Sequence, residues 1–369
     1  MAIFMDRHDV SGNVTAEDVA QLHSQDLKVQ HEFGCRGLTY WFDEKRKTAF
    51  CLIEAPDDKA IKEMHNHAHG QIPHLVIEVD TRIVESFLGR IEDPAKALNN
   101  DFNIINDPAF RTIMVITLKG FYSRKKEPTW MNASSGSISK YIAELLKDFE
   151  GRIVKQSHDS FLVSFDSVTN AVLCASEVYS FSNKKLNESD IKNSDLKIGL
   201  SAGVPVTDKN SFFEETIKSA ERLCYVERGQ IIMSSEVKDL YKSENQNTFL
   251  KGEQIFVISP PDEKFLDLLM DFIEKSWRNT ELKVDDFSKP LGLSKSQLYR
   301  KMIDLTGKSP NTFLKEYRLK KALNLLTRQE ENISEVAYET GFSSPSYFSK
   351  CFLKRYDLLP SDYLQTFER

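Results

Sequence analysis

Along the first eighty residues of the chain, apolar positions alternate two by two, widen to a helical period, and tighten again. Ile3 to His8 has the period of a strand, and Thr15 to Phe33 that of a helix opened by Thr15 as N-cap. RGLTYWFD (36–43) and KTAFCLIE (47–54) read as a hairpin across a charged turn. Ala55 to Gly70 predicts a second helix, with Pro56 near its start and Gly70 at its stop, and HLVIEV (74–79) a last strand. Residues 89–108 are polar and proline-punctuated, as a linker is. A second α/β unit is predicted over 109–259, built from the strand FRTIMVITL, a helix around 137–149, the hairpin GRIVKQSHDSFLVSF, a helix at 167–181, the strand LKIGLSAG and a helix at 212–225. Pro260-Pro261 closes it, and 262–369 is helical by period, with Gly or Pro at each break. There are no internal repeats and no low-complexity tract.

The helical end is the most informative. A short helix is expected to stop at Gly292, and Ser294 then opens another, with Gln297 completing an S-x-x-Q capping box. Leu298 and Met302 face inward at i, i+4, which leaves Ser296, Tyr299, Arg300 and Lys301 outward. Fifty residues on, ISEVAYETGFSSPSYFSKCFLKRY repeats the layout: a helix ending at Gly341, then Ser344 and Pro345 at the cap and first turn of the next. Phe348 and Phe352 point inward there, leaving Ser346, Tyr347, Ser349 and Lys350 on or near the outer face. The amphipathic helix SPNTFLKEYRLKKALNLL lies between the two units and is placed to fix their spacing. A helix, a glycine turn and a second helix with a polar front is the helix-turn-helix layout, whose second helix enters the major groove.

Charge changes the picture only locally. The net charge is -6, yet from Lys289 to Arg328 ten Lys or Arg stand against Asp304 and Glu316. That excess is the electrostatic footprint of a nucleic-acid binder, with Lys320 and Lys321 expected on phosphate. The text LSKSQLYRKMIDLTGKSPNTFLKEYRLKKALNLL followed by ISEVAYETGFSSPSYFSKCFLKRY…P resembles the DNA-binding domain of AraC-type (AraC/XylS) transcription regulators over about 262–369. The resemblance implies an all-α double helix-turn-helix domain bound to double-stranded operator DNA. One departure is Asp357, where the family usually has Gly.

Residues 110–258 resemble the class III nucleotidyl (adenylate/guanylate) cyclase homology domain, through FRTIMVITLKGF, GRIVKQSHDSFLVSFDSVTNAV, LKIGLSAGVPV and ERLCYVERGQIIMSSEV. The resemblance implies an α/β cyclase-like unit with a ferredoxin-like core. It also implies that the first metal carboxylate is replaced by Thr117, that the second survives as Asp159, that Arg222 is retained, that Lys218 stands for the usual Asn, and that Lys155 occupies a purine-reading position. One carboxylate cannot bridge the two ions that such chemistry needs, so an inactive domain is expected. His158 and Ser160 replace flanking glycines and would crowd a phosphate, which favours a scaffold over a degenerate nucleotide pocket.

EMHNHAHG, from Glu63 to Gly70, puts His65 and His69 on one helix face with Cβ atoms about 5–6 Å apart, a spacing at which two imidazoles share a divalent ion. His67 points away. Asp6 and His8 lie on one side of the first strand and offer a third ligand; His23 is a weaker candidate. The order βαββαβ suggests an α+β ferredoxin-like unit over 1–88. MDRHDVSG, TAEDVAQLH, LTYWFDEK, FCLIEAPD and MHNHAHG resemble a small ferredoxin-like family described as nickel-binding. Imidazole-rich sites suit nickel, copper, zinc and cobalt alike, so the ligands do not name the metal.

A chain of 369 residues with 40% hydrophobic and 28% charged positions is a multidomain globular protein. Its five scattered cysteines, never in a CxxC pair, argue for a reducing compartment. Charged residues within the first seven positions and the lack of long apolar runs leave neither a signal peptide nor a membrane span, so a cytoplasmic location is expected. The leading reading is a metal-responsive DNA-binding regulator, not an enzyme, with homodimerisation through either of the first two domains. Two readings compete with it: a nucleotide-binding or residual cyclase sensor fused to DNA binding, and an N-terminal domain that is purely an interaction module.

Overall fold

A computed structural model describes residues 1–94, 103–118, 129–157, 160–188, 196–209, 211–246, 252, 254–328 and 332–365. The first unit follows the predicted order: β1 (Ala2–Asp9), α1 (Ala16–Val29), β2 (Arg36–Asp43), β3 (Thr48–Ala55), α2 (Asp58–Ala68) and β4 (Leu75–Glu78). The sheet order is β2-β3-β1-β4, antiparallel throughout. Period-2 alternation divides its residues between two cores. Phe4, Tyr40, Phe42 and Ile53 meet Val19 of α1 and Ile61 and Met64 of α2. Met5, Trp41, Phe50, Leu52 and Ile77 face the other way. Thr15 caps α1 as expected, its backbone N–H donating to Asp18 Oδ2 at 2.9 Å. The helix ends at Val29, and Gln30–Phe33 tightens into a 3₁₀ turn that stops at Gly34, φ 63. The second helix begins at Asp58 instead of Ala55, because a residue before proline prefers extended backbone and Ala55 stays in β3. Asp57 then accepts from the Ala60 N–H at 2.8 Å.

A helix absent from the sequence reading, α3 (Thr81–Leu88), follows, with Asp80 as its cap and Gly89 at φ 82 as its stop. Residues 103–107, expected to be linker, lie on β2. The Tyr40 hydroxyl donates to Asn103 O at 2.8 Å and accepts from the Ile105 N–H at 2.9 Å. The second unit contains β5 (Arg111–Leu118), α4 (Thr129–Asp148), β6 (Arg152–Gln156), β7 (Ser160–Phe165), α5 (Val168–Glu188), β8 (Leu196–Gly203), α6 (Glu214–Leu223), β9 (Ile231–Met233), α7 (Ser235–Glu244) and β10 (Ile255–Val257). Its six strands run β10-β9-β8-β5-β7-β6. On one face lies a core shared with α4, α5 and α7. On the other face α6 lies so close to β8 that a Cβ on Gly199 would overlap the Ala220 carbonyl, which is why the strand reads LKIGLSAG. The rear face of the first sheet docks there too: Met5, Trp41 and Phe50 join Phe87, Val115, Phe212, Phe213 and Ala220 in one core.

The remainder is helical: α8 (Pro260–Ser276), α9 (Val284–Leu291), α10 (Lys295–Thr306), α11 (Pro310–Arg328), α12 (Ile333–Glu339), α13 (Pro345–Tyr356) and α14 (Pro360–Gln365). The two predicted caps are present. Ser294 N–H donates to Gln297 Oε1 at 2.9 Å, and Tyr347 N–H donates to Ser344 Oγ at 3.3 Å. Asp357 ends α13 at φ 56, the left-handed conformation that glycine adopts without strain. The first half of α11 supplies Phe313, Leu314 and Tyr317 to one core, and the second half supplies Leu319, Ala322, Leu323 and Leu326 to another. The first of these cores runs on into the middle unit through Leu223, Val226, Ile232 and Ile258.

Candidate functional site

The N-terminal cluster is assembled from four elements. Asp6 and His8 leave β1 on the helix side, two residues apart. Cys51 on β3 stands across the ladder, its N–H donating to Asp6 Oδ1 at 2.9 Å. His65 is in the last turn of α2 and His69 is its C-cap, with His69 N–H donating to His65 O at 3.1 Å. Asp26 comes from α1. Asp6 Oδ2 lies 2.9 Å from His65 Nε2, and Asp6 Oδ1 lies 3.4 Å from His8 Nε2. On its other side His65 Nδ1 is 3.1 Å from Asp26 Oδ1 and 3.3 Å from His69 Nε2, which is itself 3.1 Å from Asp26 Oδ1.

Electrostatics tie the cluster together. Burial opposes ionisation of Asp6, but the His8 and His65 rings overcome it and hold the carboxyl far below the usual range. Burial likewise opposes ionisation of Asp26, and His65 and His69 outweigh it. Burial alone would neutralise His65, yet Asp26 and Asp6 lift its pKa to about 10. Burial and the nearby Asp6 and Asp26 charges push the Cys51 thiol well up.

Among the described residues, two groups bring three ligand atoms within 4.8 Å of one another: Asp26, His65 and His69, and Asp6, His8 and Cys51. His8 Nε2 is buried without a hydrogen-bond partner, as a donor atom kept for an ion is, while Asp26 Oδ1 stands 3.1 Å from both the His65 and the His69 ring. A carboxylate with imidazoles, or with an imidazole and a thiol, is a donor set that fits a divalent transition metal. Asp26 and Cys51 escaped the sequence reading. His67 is exposed beside Phe33 and Glu32. His23 belongs to neither group; it packs on Tyr40 and lies 3.5 Å from Asp93 Oδ2.

On α10, Ser296, Tyr299 and Arg300 are exposed, and on α13 so are Ser346, Tyr347 and Lys350. Lys301 departs from the expectation: it is half-buried and paired with Asp262 at the start of α8, so it faces the protein. Lys320 stays exposed but lies over the Tyr225 ring, Lys321 is half-buried over the Tyr317 ring, and both line a cleft of about 370 Å³ between the middle unit and α8 and α11.

The cyclase-related positions are scattered in role. Thr117 on β5 directs its hydroxyl to Lys197 O at 3.5 Å, and Lys218 pairs with Glu214. Lys155 lines the cleft. Asp159 lies outside the described residues. Arg222 is committed elsewhere: it donates to Asp267 Oδ1 at 2.9 Å, to Asp271, and to Glu274 Oε2 at 3.3 Å, all on α8. Beside it the Glu227 N–H donates to Leu305 O at 2.9 Å, and Arg228 pairs with Asp304.

Residues 287–366 match the helix-turn-helix domain family, and residues 4–79 match the family described as nickel responsive protein SCO4226-like. The two matches lie at opposite ends of the chain, the nickel-responsive-like one first and the helix-turn-helix one last. It is 42% identical over 106 residues to histidine kinase P4 of Formosa agariphila, covering 29% of this chain and 8% of the relative. It is 32% identical over 100 residues to the HTH-type transcriptional activator RhaS of Escherichia coli O139:H28, covering 27% and 36%. The matched part therefore spans under a tenth of the length of the first relative and little more than a third of the second. Among solved structures, SCO4226 from Streptomyces coelicolor A3(2) is 31% identical, covers 21% of this chain and 95% of its own, and has a TM-score of 0.20. No helix of the described residues is long and apolar enough to cross a membrane.

Proposed function

We propose that this protein is an AraC-type transcription regulator that binds double-stranded operator DNA and responds to a divalent metal such as nickel. The observation that carries the first half is the pair of capped helices, α10 and α13, each presenting an exposed polar front and both anchored to α11. Arg300 suits a bidentate contact to a guanine edge, and Tyr299, Ser296, Ser346, Tyr347 and Lys350 flank it in the two grooves. The second half rests on the Asp26, His65 and His69 donors of the ferredoxin-like N-terminal domain. When bound, the ion supplies a cross-link between α1 and α2.

The domains are read as 1–88, 109–259 and 262–369, with the middle one an inactive cyclase-like scaffold. Its contribution is contact: Met5 and Leu52, next to Asp6 and Cys51 on their strands, point into the core shared with α6, and α6 carries Arg222 to the DNA-binding domain. This continuity supports a coupling of the metal cluster to the orientation of the helices, and a homodimer would use surfaces other than the docked sheet face. The test is footprinting on the operator by untagged protein, with and without nickel. Two contacted segments about one helical turn apart, altered by the metal, are expected. A single segment, or a pattern indifferent to every divalent ion, sinks the corresponding half of the reading.

A further inference from the structure

The predicted ligands fall into two groups instead of one. The hinge between them is Asp6, whose two oxygens serve different partners: Oδ2 meets His65, while Oδ1 meets Cys51 N–H and the His8 ring. His65 in turn spends Nε2 on Asp6 and turns Nδ1 toward Asp26 and His69. For the Asp26, His65 and His69 group, then, Asp6 is the carboxylate behind the ligand that orients an imidazole. For the other group it is a donor itself.

We infer that Asp6, His8 and Cys51 form a second metal site with a thiolate ligand, so that the N-terminal domain holds a pair of ions on either side of the Asp6–His65 contact. Three observations carry it. The ligand atoms of the three residues lie within 4.8 Å of one another. His8 is nine-tenths buried and its Nε2 has no hydrogen-bond partner, although Asp6 Oδ1 is close by. Cys51 is a free, buried thiol on the same side of the sheet as both, across the ladder from Asp6. A cysteine packed only for its volume needs neither an unpaired imidazole nor a carboxylate beside it.

The ligand class follows from the donor set. Thiolate with imidazole and carboxylate suits borderline transition ions such as nickel, cobalt or zinc, and disfavours magnesium and calcium, which take oxygen alone. On binding, the Cys51 S–H proton leaves to solvent, the sulfur lone pair is donated to the ion, and no electron is transferred. The inference deepens the metal-responsive reading and rests on it, but concerns different residues.

The test is titration of the untagged, metal-free full-length chain with nickel chloride, followed by equilibrium stoichiometry and near-ultraviolet absorption. Two equivalents per chain and a sulfur-to-metal charge-transfer band are expected. Cys51→Ser should lose the band and one equivalent, and His69→Ala should lose one equivalent but keep the band. Cys51→Ala repeats the test with the hydroxyl removed, and circular dichroism confirms that each variant is folded. One equivalent in the unmodified chain, untouched by Cys51→Ser and without a band, overturns the second site while leaving the Asp26, His65 and His69 site standing. One equivalent whose band is lost in both variants means a single mixed site and overturns the pair. No nickel bound at all overturns both this inference and the metal half of the proposed function.

Discussion

Replacing Arg222 with Gln should loosen the DNA-binding domain from the middle domain, and the size of the effect follows from its surroundings. The guanidinium is 8% exposed and faces carboxylates that are 42% (Asp267), 52% (Asp271) and 35% (Glu274) exposed. Exposed ion pairs contribute about 0.2–1 kcal/mol, whereas removing one partner of a fully buried pair costs about 3–5 kcal/mol. With the cation buried and its partners wet, a loss of about 2 kcal/mol is expected. The substitution also leaves three carboxylates on successive turns of α8, each like-charge neighbour adding about 0.2–0.5 kcal/mol of repulsion. For the same reason, losing one carboxylate should cost less than a third of losing the arginine. The assay is urea unfolding of Arg222→Gln, Asp271→Asn and the double variant, read as a double-mutant cycle at low and high salt. A coupling of about 1 kcal/mol that shrinks with salt is expected. If the two changes add without coupling at low salt, the clamp contributes nothing to docking and the reasoning fails.

Arg300→Ala should weaken specific DNA binding by about 1–3 kcal/mol and relax preference at one base pair, while Lys301→Ala should leave DNA affinity nearly unchanged; mobility shifts on operator and scrambled DNA compare the two. Purified protein with manganese and ATP or GTP should form no cyclic nucleotide by chromatography, since Thr117 is no carboxylate, Lys218 is paired with Glu214, and Arg222 is held by α8. In the metal-free chain the His65 pKa is raised to about 10, so its ion pairs contribute fully below the unfolded value of about 6.5 and are lost as pH rises through about 10. Asp6 and Asp26 are lowered, so their share is present above about 4 and lost as pH falls below that. Melting temperature against pH should therefore decline on both sides of neutrality, and a melting temperature that rises between pH 7 and 10 would count against the His65 pairing. Because nickel must displace the His65 proton, its affinity should climb with pH over the same upper range. Asp357→Gly should stabilise the chain by about 0.5–1 kcal/mol, because it removes a side chain from a left-handed position; a loss of stability in chemical denaturation would contradict this.

What the sequence disclosed was whatever local chemistry determines. Ser294 with Gln297 and Ser344 with Pro345 mark helix starts within four residues, so both helix-turn-helix units could be read directly. His65 and His69 lie one turn apart, so their neighbourhood needed no tertiary knowledge. Cys51 was hidden because its place beside Asp6 depends on the β1–β3 register, which only the folded sheet fixes. Asp26 carried a fainter signal, an acidic residue on the same buried stripe of α1 as Val19 and His23. Lys301 was misread because Asp262, nearly forty residues earlier, reaches it from another helix. The α3 helix had its signal in plain view, Asp80 at one end and Gly89 at the other, within a stretch too short to show a period.

The rear face of the N-terminal sheet has a bearing on how this molecule can be taken apart or recombined. Trp41, Phe50 and Leu52 are wholly buried there in a core shared with α3, α6 and the segment before α6. Cutting the chain after Leu88 would expose an apolar slab where a soluble fragment needs a polar one, and such a piece should stick to itself. The N-terminal domain is therefore no cassette to be grafted in front of an arbitrary partner domain. A transplant would have to carry its covering partner along, or repaint five strand positions from apolar to polar while leaving the histidines on the opposite face untouched.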